Sequence, residues 1–516
     1  MLSNKSLVAV CAIAFCCNVA VLVIFVKYNS GERCYITIEE HQTIHSIIPD
    51  DFLSVGIDTS NVQNYDTVDF RKVRLRQLAE ALAPARLRLG GTMSERLIFS
   101  ENDLPVSCDH CSKDGHHNSV CRSVTKLCSK FLPFFIMTGN KWAEINEFCK
   151  ATNMKLLFTF NALLRDDHGW NDQNARELLE YSKQRKFDID WQLGNEPNSF
   201  QHVFNVSLTP KTLAGDFHKL HKLLNETGYK NSLLVGPDTT RPQPKRPSCL
   251  EYMEEFLGNG SKHINAISWH QYYLNGRTAT LEDFWNPDTL DLLKKQIHSM
   301  RNHTKKYRHM PMWLTETSSA YGGGAPGLSN SFAGSPLWID KLGLAAKQNI
   351  TTVVRQSFIG GNYSLIDENL EPLPDWWLSV LYKKLVGNKV LHVHCKCSRF
   401  QRMYAHCANR KYTNDTSAIT IYAVNLEMAK ARFLLNGTAL HNNNLIIDEY
   451  IISAPSNNRR TKTVLLNGWP LYYESSLPNM EPTRLKYGNH VSMPPYSIAF
   501  WVIKNTSIKA CRTKHH

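Results

Sequence analysis

Trp191-Gln192-Leu193-Gly194-Asn195-Glu196-Pro197-Asn198 reads as a short apolar strand that delivers an Asn-Glu pair to its C-terminal end. A second segment, Met312-Trp313-Leu314-Thr315-Glu316-Thr317, repeats the arrangement 120 residues later. Paired carboxyl groups of this kind serve glycoside hydrolysis with retention. One protonates the leaving oxygen, and the other attacks from the opposite face of the sugar.

Outward from these two segments, short apolar runs alternate with helix-length patterns. The runs are Phe52–Ile57, Ala85–Leu89, Lys155–Phe160, Ile189–Leu193, Leu233–Val235, Ile264–Trp269, Met312–Leu314 and Thr352–Arg355. Helices are expected over Ala175–Lys186, Leu213–Leu224, Leu290–Arg301 and Ser335–Lys347 among others. Eight strands separated by helices fit an α/β fold, the (β/α)8 TIM barrel, although open doubly wound sheets use the same alternation. Polar residues placed at the strand ends favour the barrel: Asp58, Thr92, Asn161, Glu196, Asp238, His270, Glu316 and Gln356. Such barrels build their sites from the loops that follow the strands.

After Leu385 the helical pattern stops. Lys389–Val393, Ser417–Val424, Ala431–Leu434, Asn444–Ile452, Lys462–Leu466 and Ile498–Ile503 read as strands parted by Asn, Gly and Pro turns, which predicts a β-sandwich. Tyr35–Glu39 is expected to add an N-terminal strand to it. The resulting division is residues 1–34 as signal segment and stem, 35–50 as the joining strand, 51–385 as barrel and 386–516 as sandwich.

The formal net charge of +13 and pI near 9.0 imply attraction to polyanions: nucleic acid, anionic lipid or an acidic polysaccharide. No zinc-finger, RNP-type or Walker-type motif is present, which argues against nucleic acid. Neither metal-ligand His spacing nor a dinucleotide Gly-x-Gly-x-x-Gly appears, so no metal or other cofactor is expected. The glutamate pair points to an acidic glycan, bound by a monomer.

Leu7 to Val26 is an uncharged, mostly apolar run, long enough for a signal-peptide core or for an uncleaved membrane anchor. Either leads into the secretory pathway, toward an extracellular or lysosomal protein. Nine Asn-x-Ser/Thr sites beyond the run, from Asn205 to Asn505, agree with export. Eleven of the 14 cysteines lie outside the run and should largely pair in an oxidising compartment. Cys407 and Cys511 bracket the C-terminal module as one bridge. Cys108, Cys111, Cys121, Cys128 and Cys149 are expected to staple one loop, leaving Cys34 or Cys249 as a free thiol.

Around the carboxylates, Asn195 can donate to a sugar hydroxyl, while His270, Gln356 or the Tyr272 hydroxyl can hold an ionised Glu316. The three glycines Gly322-Gly323-Gly324 would bring backbone N–H groups close to a substrate carboxylate. Tyr363, in Gly360-Gly361-Asn362-Tyr363, is a second donor to that group. The basic loop Arg241-Pro242-Gln243-Pro244-Lys245-Arg246 can bind sulfate or carboxylate, or form a solvated surface.

Leu193-Gly194-Asn195-Glu196-Pro197-Asn198-Ser199-Phe200, Tyr272-Tyr273-Leu274-Asn275-Gly276-Arg277-Thr278-Ala279-Thr280 and Glu316 to Pro326 resemble the heparanase-type endo-β-glucuronidase family. Asp367-Glu368-Asn369 and Pro372 to Asp375 add to the likeness, which runs from about residue 35 to Cys511. The resemblance implies retaining hydrolysis without a metal, with Glu196 as acid/base and Glu316 as nucleophile. It also implies a cleft lined by Asp58, Thr92, Asn195, His270, Tyr272, Arg277, Gly322, Gly323, Gln356, Gly361 and Tyr363. In the loop after the fifth strand the family's Gln-Pro-Arg appears here as Arg241-Pro242-Gln243, with Lys245 and Arg246 just beyond, and these are expected to bind substrate too. Heparan sulfate is the implied substrate, with hyaluronan as the alternative on the same scaffold and a non-catalytic glycan binder as a third reading.

Overall fold

The computed structural model describes residues 33–44, 47–63, 68–101, 134–243, 248–440, 444–486 and 490–512. The apolar run at 7–26, the cysteines at 108, 111, 121 and 128, and Lys245 and Arg246 lie outside these residues.

Eight parallel strands form the centre: Leu53–Asp58, Ala85–Gly90, Met154–Phe160, Ile189–Leu193, Val235–Thr239, Ala266–Asn275, Met312–Tyr321 and Thr352–Gln356. Each pairs with its neighbour in chain order, and the eighth pairs with the first. The circle closes between the fourth and fifth through a parallel bridge of Trp191 with Leu234, where Trp191 N–H donates to Leu233 O at 2.8 Å. The barrel expectation is borne out. Its strands read as nearly continuous apolar runs because both faces are covered, by the packed interior on one side and the helical ring on the other.

Helices Gln173–Gln184, Pro210–Glu226, Pro287–His303 and Ser335–Lys347 fall where their periodicity predicts. Their starts follow from local chemistry. Thr209 accepts from Thr212 N–H, Asn286 accepts from Asp288 N–H, and Pro210 and Pro287 occupy the first helical positions.

Helix Pro374–Leu385 runs directly into strand Val386–Lys396, the entry to the second module. There ten mostly antiparallel strands follow one hydrogen-bonded path that folds around its own core, and an eleventh, Thr483–Lys486, pairs with Ile446–Ser453 off that path. The fold rests on period-two alternation. In Ile419–Asn425, Ile419, Ile421 and Ala423 face the sandwich interior, whereas Tyr422 and Val424 join the core shared with the barrel. Strand Ser497–Lys504 divides likewise: Ala499, Trp501 and Ile503 face inward, and Ile498, Phe500 and Val502 face the barrel. The N-terminal strand Arg33–Thr43 pairs antiparallel with Val386–Lys396 and parallel with Ala431–Leu435, completing the sandwich as expected. Strands Gln401–Ala408, Trp469–Pro470, Thr483–Lys486 and His490–Met493 are absent from the sequence reading.

Cys407 and Cys511 are bonded, tying a sandwich strand to the C-terminal helix Lys509–Arg512. Cys395 and Cys397 form a further pair that spacing did not suggest. Cys149 departs from expectation: it is a buried free thiol on helix Gly139–Ala151, on the face carrying Trp142, Ile145 and Phe148. It packs as core rather than as part of a loop staple. Cys249, also buried, is free as expected. Because the Cys407–Cys511 bridge closes a loop of 104 residues, Cys511→Ala should lower stability by roughly 2–5 kcal/mol in denaturant unfolding. A loss below about 1 kcal/mol would show that the bridge contributes little.

Candidate active site

Glu196 stands just past the fourth barrel strand with φ 54° and ψ 52°, a left-handed conformation rare for a residue with a side chain. Asp238, at the end of the fifth strand, shares it with φ 57°. Glu196 N–H donates to Asp238 O at 3.0 Å, so the two unusual turns brace each other. Strained backbone of this sort costs about 1–3 kcal/mol and persists where surrounding contacts over-determine it.

Glu316 sits within the seventh strand. Tyr272 donates its hydroxyl to Glu316 Oε1 at 2.7 Å, and Arg88 donates from Nη1 to Oε2 at 3.0 Å. Burial alone would raise this carboxyl. The charges of His270 and Arg88 and the Tyr272 hydrogen bond outweigh it and hold Glu316 below the ordinary glutamate value. The group is ionised, as an attacking carboxylate must be.

His270 links the pair. Its Nδ1 lies 2.9 Å from Glu196 Oε1 and 3.9 Å from Glu316 Oε1. The two carboxylate oxygens are therefore no more than about 6.8 Å apart, the sum of those lengths. Retaining sites separate their carboxyl groups by about 5–5.5 Å, and inverting ones by about 6.5–9.5 Å. The bound spans the retaining range and reaches only the short end of the inverting one.

His270 is fully buried, which by itself would lower its pKa. Glu316 and the contacts with Asp238 and Glu196 reverse this and push it up to about 10. A histidine raised from 6.5 to about 10 gives its full stabilisation below pH 6.5 and loses it as the pH climbs toward 10. The melting temperature should fall over that window, and the fall should flatten in His270→Asn. An equal slope in both proteins would remove His270 as its source.

Beneath the carboxylates lies a group that sequence reasoning missed. Arg88, buried in the second strand, donates to Gln192 Oε1 at 2.9 Å, Asn195 Oδ1 at 2.9 Å, Asp238 Oδ2 at 2.8 Å and Glu316. Asp238 also accepts from Gln192 at 2.7 Å and Thr315 at 2.5 Å. Burial opposes its charge, but Arg88 and then His270 hold it well below the usual carboxylate range. The signal was available: Ala85-Arg86-Leu87-Arg88-Leu89 places two arginines in a strand with no solvent-facing side.

Glu95 was also missed. Its carboxyl accepts from Asn195 N–H and Ala162 N–H, each at 2.8 Å, and burial pushes its pKa up to about 8 despite these bonds. It ties the loops after the third and fourth strands together. Since Asn195 Oδ1 accepts from Arg88 and from Gly91 N–H at 3.1 Å, the Asn195 amide N–H2 is left to donate toward the cleft. Gly91 has φ 115°, and a Cβ there would meet Asp58 Oδ2 at 2.3 Å, so only glycine lets these strand ends approach.

The remaining expected residues divide in two. Asp58, Tyr272, Gln356 and Tyr363 join the carboxylates: Tyr363 stacks on Tyr272 with centroids 6.4 Å apart, beside Gln356. Gln356 Nε2 is buried with no hydrogen-bond partner among the described residues, a donor awaiting an acceptor. Gly322 and Gly323 have φ of 77° and 86° with open space where a Cβ would stand. Their loop is braced by Asn362 N–H donating to Gly323 O at 2.7 Å, beside Gly361. Thr92, Gln243 and Arg277 are exposed and make no described side-chain contact with the carboxylates. Arg241 is half-buried, its guanidinium 4.5 Å from the centroid of the Tyr321 ring.

The family model described as glycosyl hydrolase family 79, N-terminal domain, matches residues 56–343, which contain both glutamates. This chain belongs to glycosyl hydrolase family 79. It is a glycoside hydrolase of the heparanase family, 38% identical over 502 residues to heparanase of Bos taurus, covering 91% of each chain. A hyaluronoglucuronidase of Hirudo nipponia is 28% identical over 502 residues, 92% of this chain and 99% of that one. Among solved structures, a 4-O-α-L-rhamnosyl-β-D-glucuronidase of Fusarium oxysporum superposes with a TM-score of 0.64 at 13% identity. It covers 90% of this chain and 99% of that one, a likeness of fold.

Proposed function

We propose that this family-79 hydrolase is a retaining endo-β-glucuronidase that cuts internal glucuronide linkages of heparan sulfate. The observation that carries the chemistry is the unlike surroundings of two carboxyl groups bridged by one imidazole. Glu316, pinned and ionised, attacks the anomeric carbon. Glu196, with 29% of its side chain exposed against 12% for Glu316, has access to solvent protons. Its Oε1 is taken by His270, which leaves Oε2 to carry the transferable proton.

In the first step the Glu316–carbon bond forms as the glycosidic bond breaks, and the leaving oxygen takes the proton of Glu196. In the second, Glu196 removes a proton from water, whose oxygen displaces Glu316 from the sugar. The Asn195 amide is placed to donate to the sugar 2-hydroxyl. Tyr363, Gln356 Nε2 and the Gly322–Gly323 backbone are placed to bind the uronate carboxylate.

Heparan sulfate is favoured over hyaluronan by the greater identity to the bovine heparanase and by Arg241 at the mouth of the fifth strand. Lys245 and Arg246 extend the same loop. The experiment is a side-by-side digestion of both polymers by one preparation at acidic pH, reading new reducing ends. Cleavage confined to hyaluronan would overturn the substrate assignment. The anomeric configuration of the first product, read by NMR, tests retention.

The nine sequons, the Cys407–Cys511 bridge and the apolar run at 7–26 support a secretory route, to the cell exterior or the lysosome. No helix among the described residues is long and apolar enough to cross a membrane, and the candidate anchor is the apolar run at 7–26. Sequencing the N-terminus of the protein made by secreting cells separates cleavage from anchorage.

A further inference from the structure

At the opposite end of the barrel from the carboxylates lies a cavity of about 310 Å³. It is bounded by the residues that precede the first two strands, among them Asp50, Phe52 and Pro84, and by the sandwich turn Asn409–Lys411. This volume falls in the range of small-ligand sites, about 300–1,000 Å³. Four of its lining side chains are cations, Lys383, Lys389, Arg410 and Lys411, and Asp50 is the one carboxylate among them.

Lys383 Nζ donates to the carbonyls of Asp50 and Pro84, which leaves one donor over. Arg410 donates to the carbonyls of Asp415, Thr416 and Cys511. Neither they nor Lys411 forms an ion pair with a described carboxylate, and neighbouring Asp51 is occupied by Arg86 at 3.0 Å. Elsewhere on the same module the opposite holds: Arg399 and Arg402 meet Asp288 and Asp291. The cavity wall is fixed, since Asn409 N–H donates to Leu385 O at 3.0 Å and Asn409 Nδ2 to Lys383 O at 2.7 Å.

Concentrated positive charge in a preformed concavity is the condition for holding an anion. We propose that this cavity is a second binding site, distinct from the catalytic cleft, which takes a compact oxyanion: free sulfate or phosphate, or the sulfate of a saccharide unit. The state of Lys383 agrees. Burial first, and then the charge of Lys411, pull its ammonium down to about 7 against the attraction of Asp51 and Asp50. An anion seated beside it restores the charged form. Binding should therefore take up a proton and strengthen as the pH falls through 7. The charged groups facing Lys383 are Asp50 and Asp51 from before the first strand, and Lys389, Arg410 and Lys411 from the sandwich.

The test uses the full chain carrying Glu316→Gln, titrated calorimetrically with sodium sulfate, a sulfated disaccharide and its unsulfated counterpart. Sulfate and the sulfated sugar should bind saturably and compete. Lys411→Ala should weaken both by about 10- to 100-fold, as expected for loss of one charged hydrogen bond. Lys383→Met should weaken them similarly and abolish the pH dependence near 7. Tighter binding of the disaccharide than of sulfate identifies a saccharide as the source, and equal binding identifies the free ion. The same substitutions in the otherwise unaltered chain should leave turnover unchanged, which shows that they fold. If Lys383→Met fails to fold, Lys411→Ala decides alone. Absence of saturable sulfate binding, or binding that neither substitution weakens, overturns the site.

Discussion

Glu316→Gln should fold, bind glycan and turn over on the order of 10⁴-fold or more slowly, the scale of loss when a covalent nucleophile is removed. The side chain keeps its shape. Its amide oxygen can still accept from Tyr272, whose hydroxyl reaches Oε1 at 2.7 Å. Its amide nitrogen faces Arg88 and forfeits the contact now 3.0 Å long, so some stability is lost as well. What disappears is the negative charge that attacks carbon. Glu196→Gln should fail differently, because it removes only the proton donor for departure and the base for water. An aryl glucuronide whose leaving group needs no proton should keep its first step in that variant, whereas polymer cleavage collapses. Pre-steady-state release of the aryl group separates the two. Undiminished polymer cleavage by Glu316→Gln would assign the nucleophile elsewhere.

The parts of this molecule that were legible in sequence share a physical cause. A parallel barrel strand is covered on both faces, so it appears as an apolar run, and the polar residue that ends it stands at the site. Glu196, His270, Glu316 and Gln356 were found in that way. The hidden parts are those where polarity points inward. Arg88 looks like a surface charge until the barrel closes around it and four acceptors converge on it. Strand Gln401–Ala408 was overlooked because Arg402 and His406 interrupt its apolar alternation. His406 is wholly buried against the barrel, its Nδ1 2.8 Å from Gly387 O. Cys149 was grouped with a nearby cysteine cluster by proximity in sequence, but the helix phase turns it into the core. Local pattern reports which surface is apolar. It does not report which buried polar group has found a partner.

The largest expected loss of stability follows from that hidden arginine. Among the described residues Arg88 is the one group that touches Asn195, Asp238 and Glu316 together, and each of these is fixed by it at 2.8–3.0 Å. Arg88→Met would fill much of the volume but leave Asp238, almost wholly inaccessible, without its principal cation and Glu316 with His270 alone. Breaking a buried ion pair from one side costs about 3–5 kcal/mol, because the stranded charge remains desolvated. Chemical unfolding should show a loss of that size. Arg88→Lys retains the charge without the planar fork that spans the three partners. It should be the milder change in stability, yet still impair turnover by misplacing Asn195 and Glu316. In Arg88→Met the Glu316 carboxyl loses a cation that favours its ionised form, so its pKa rises. The acidic limb of kcat/KM should then move to higher pH. An unshifted limb, or an Arg88→Met protein within about 1 kcal/mol of the parent, would mean that His270 and Tyr272 hold the nucleophile without help from below.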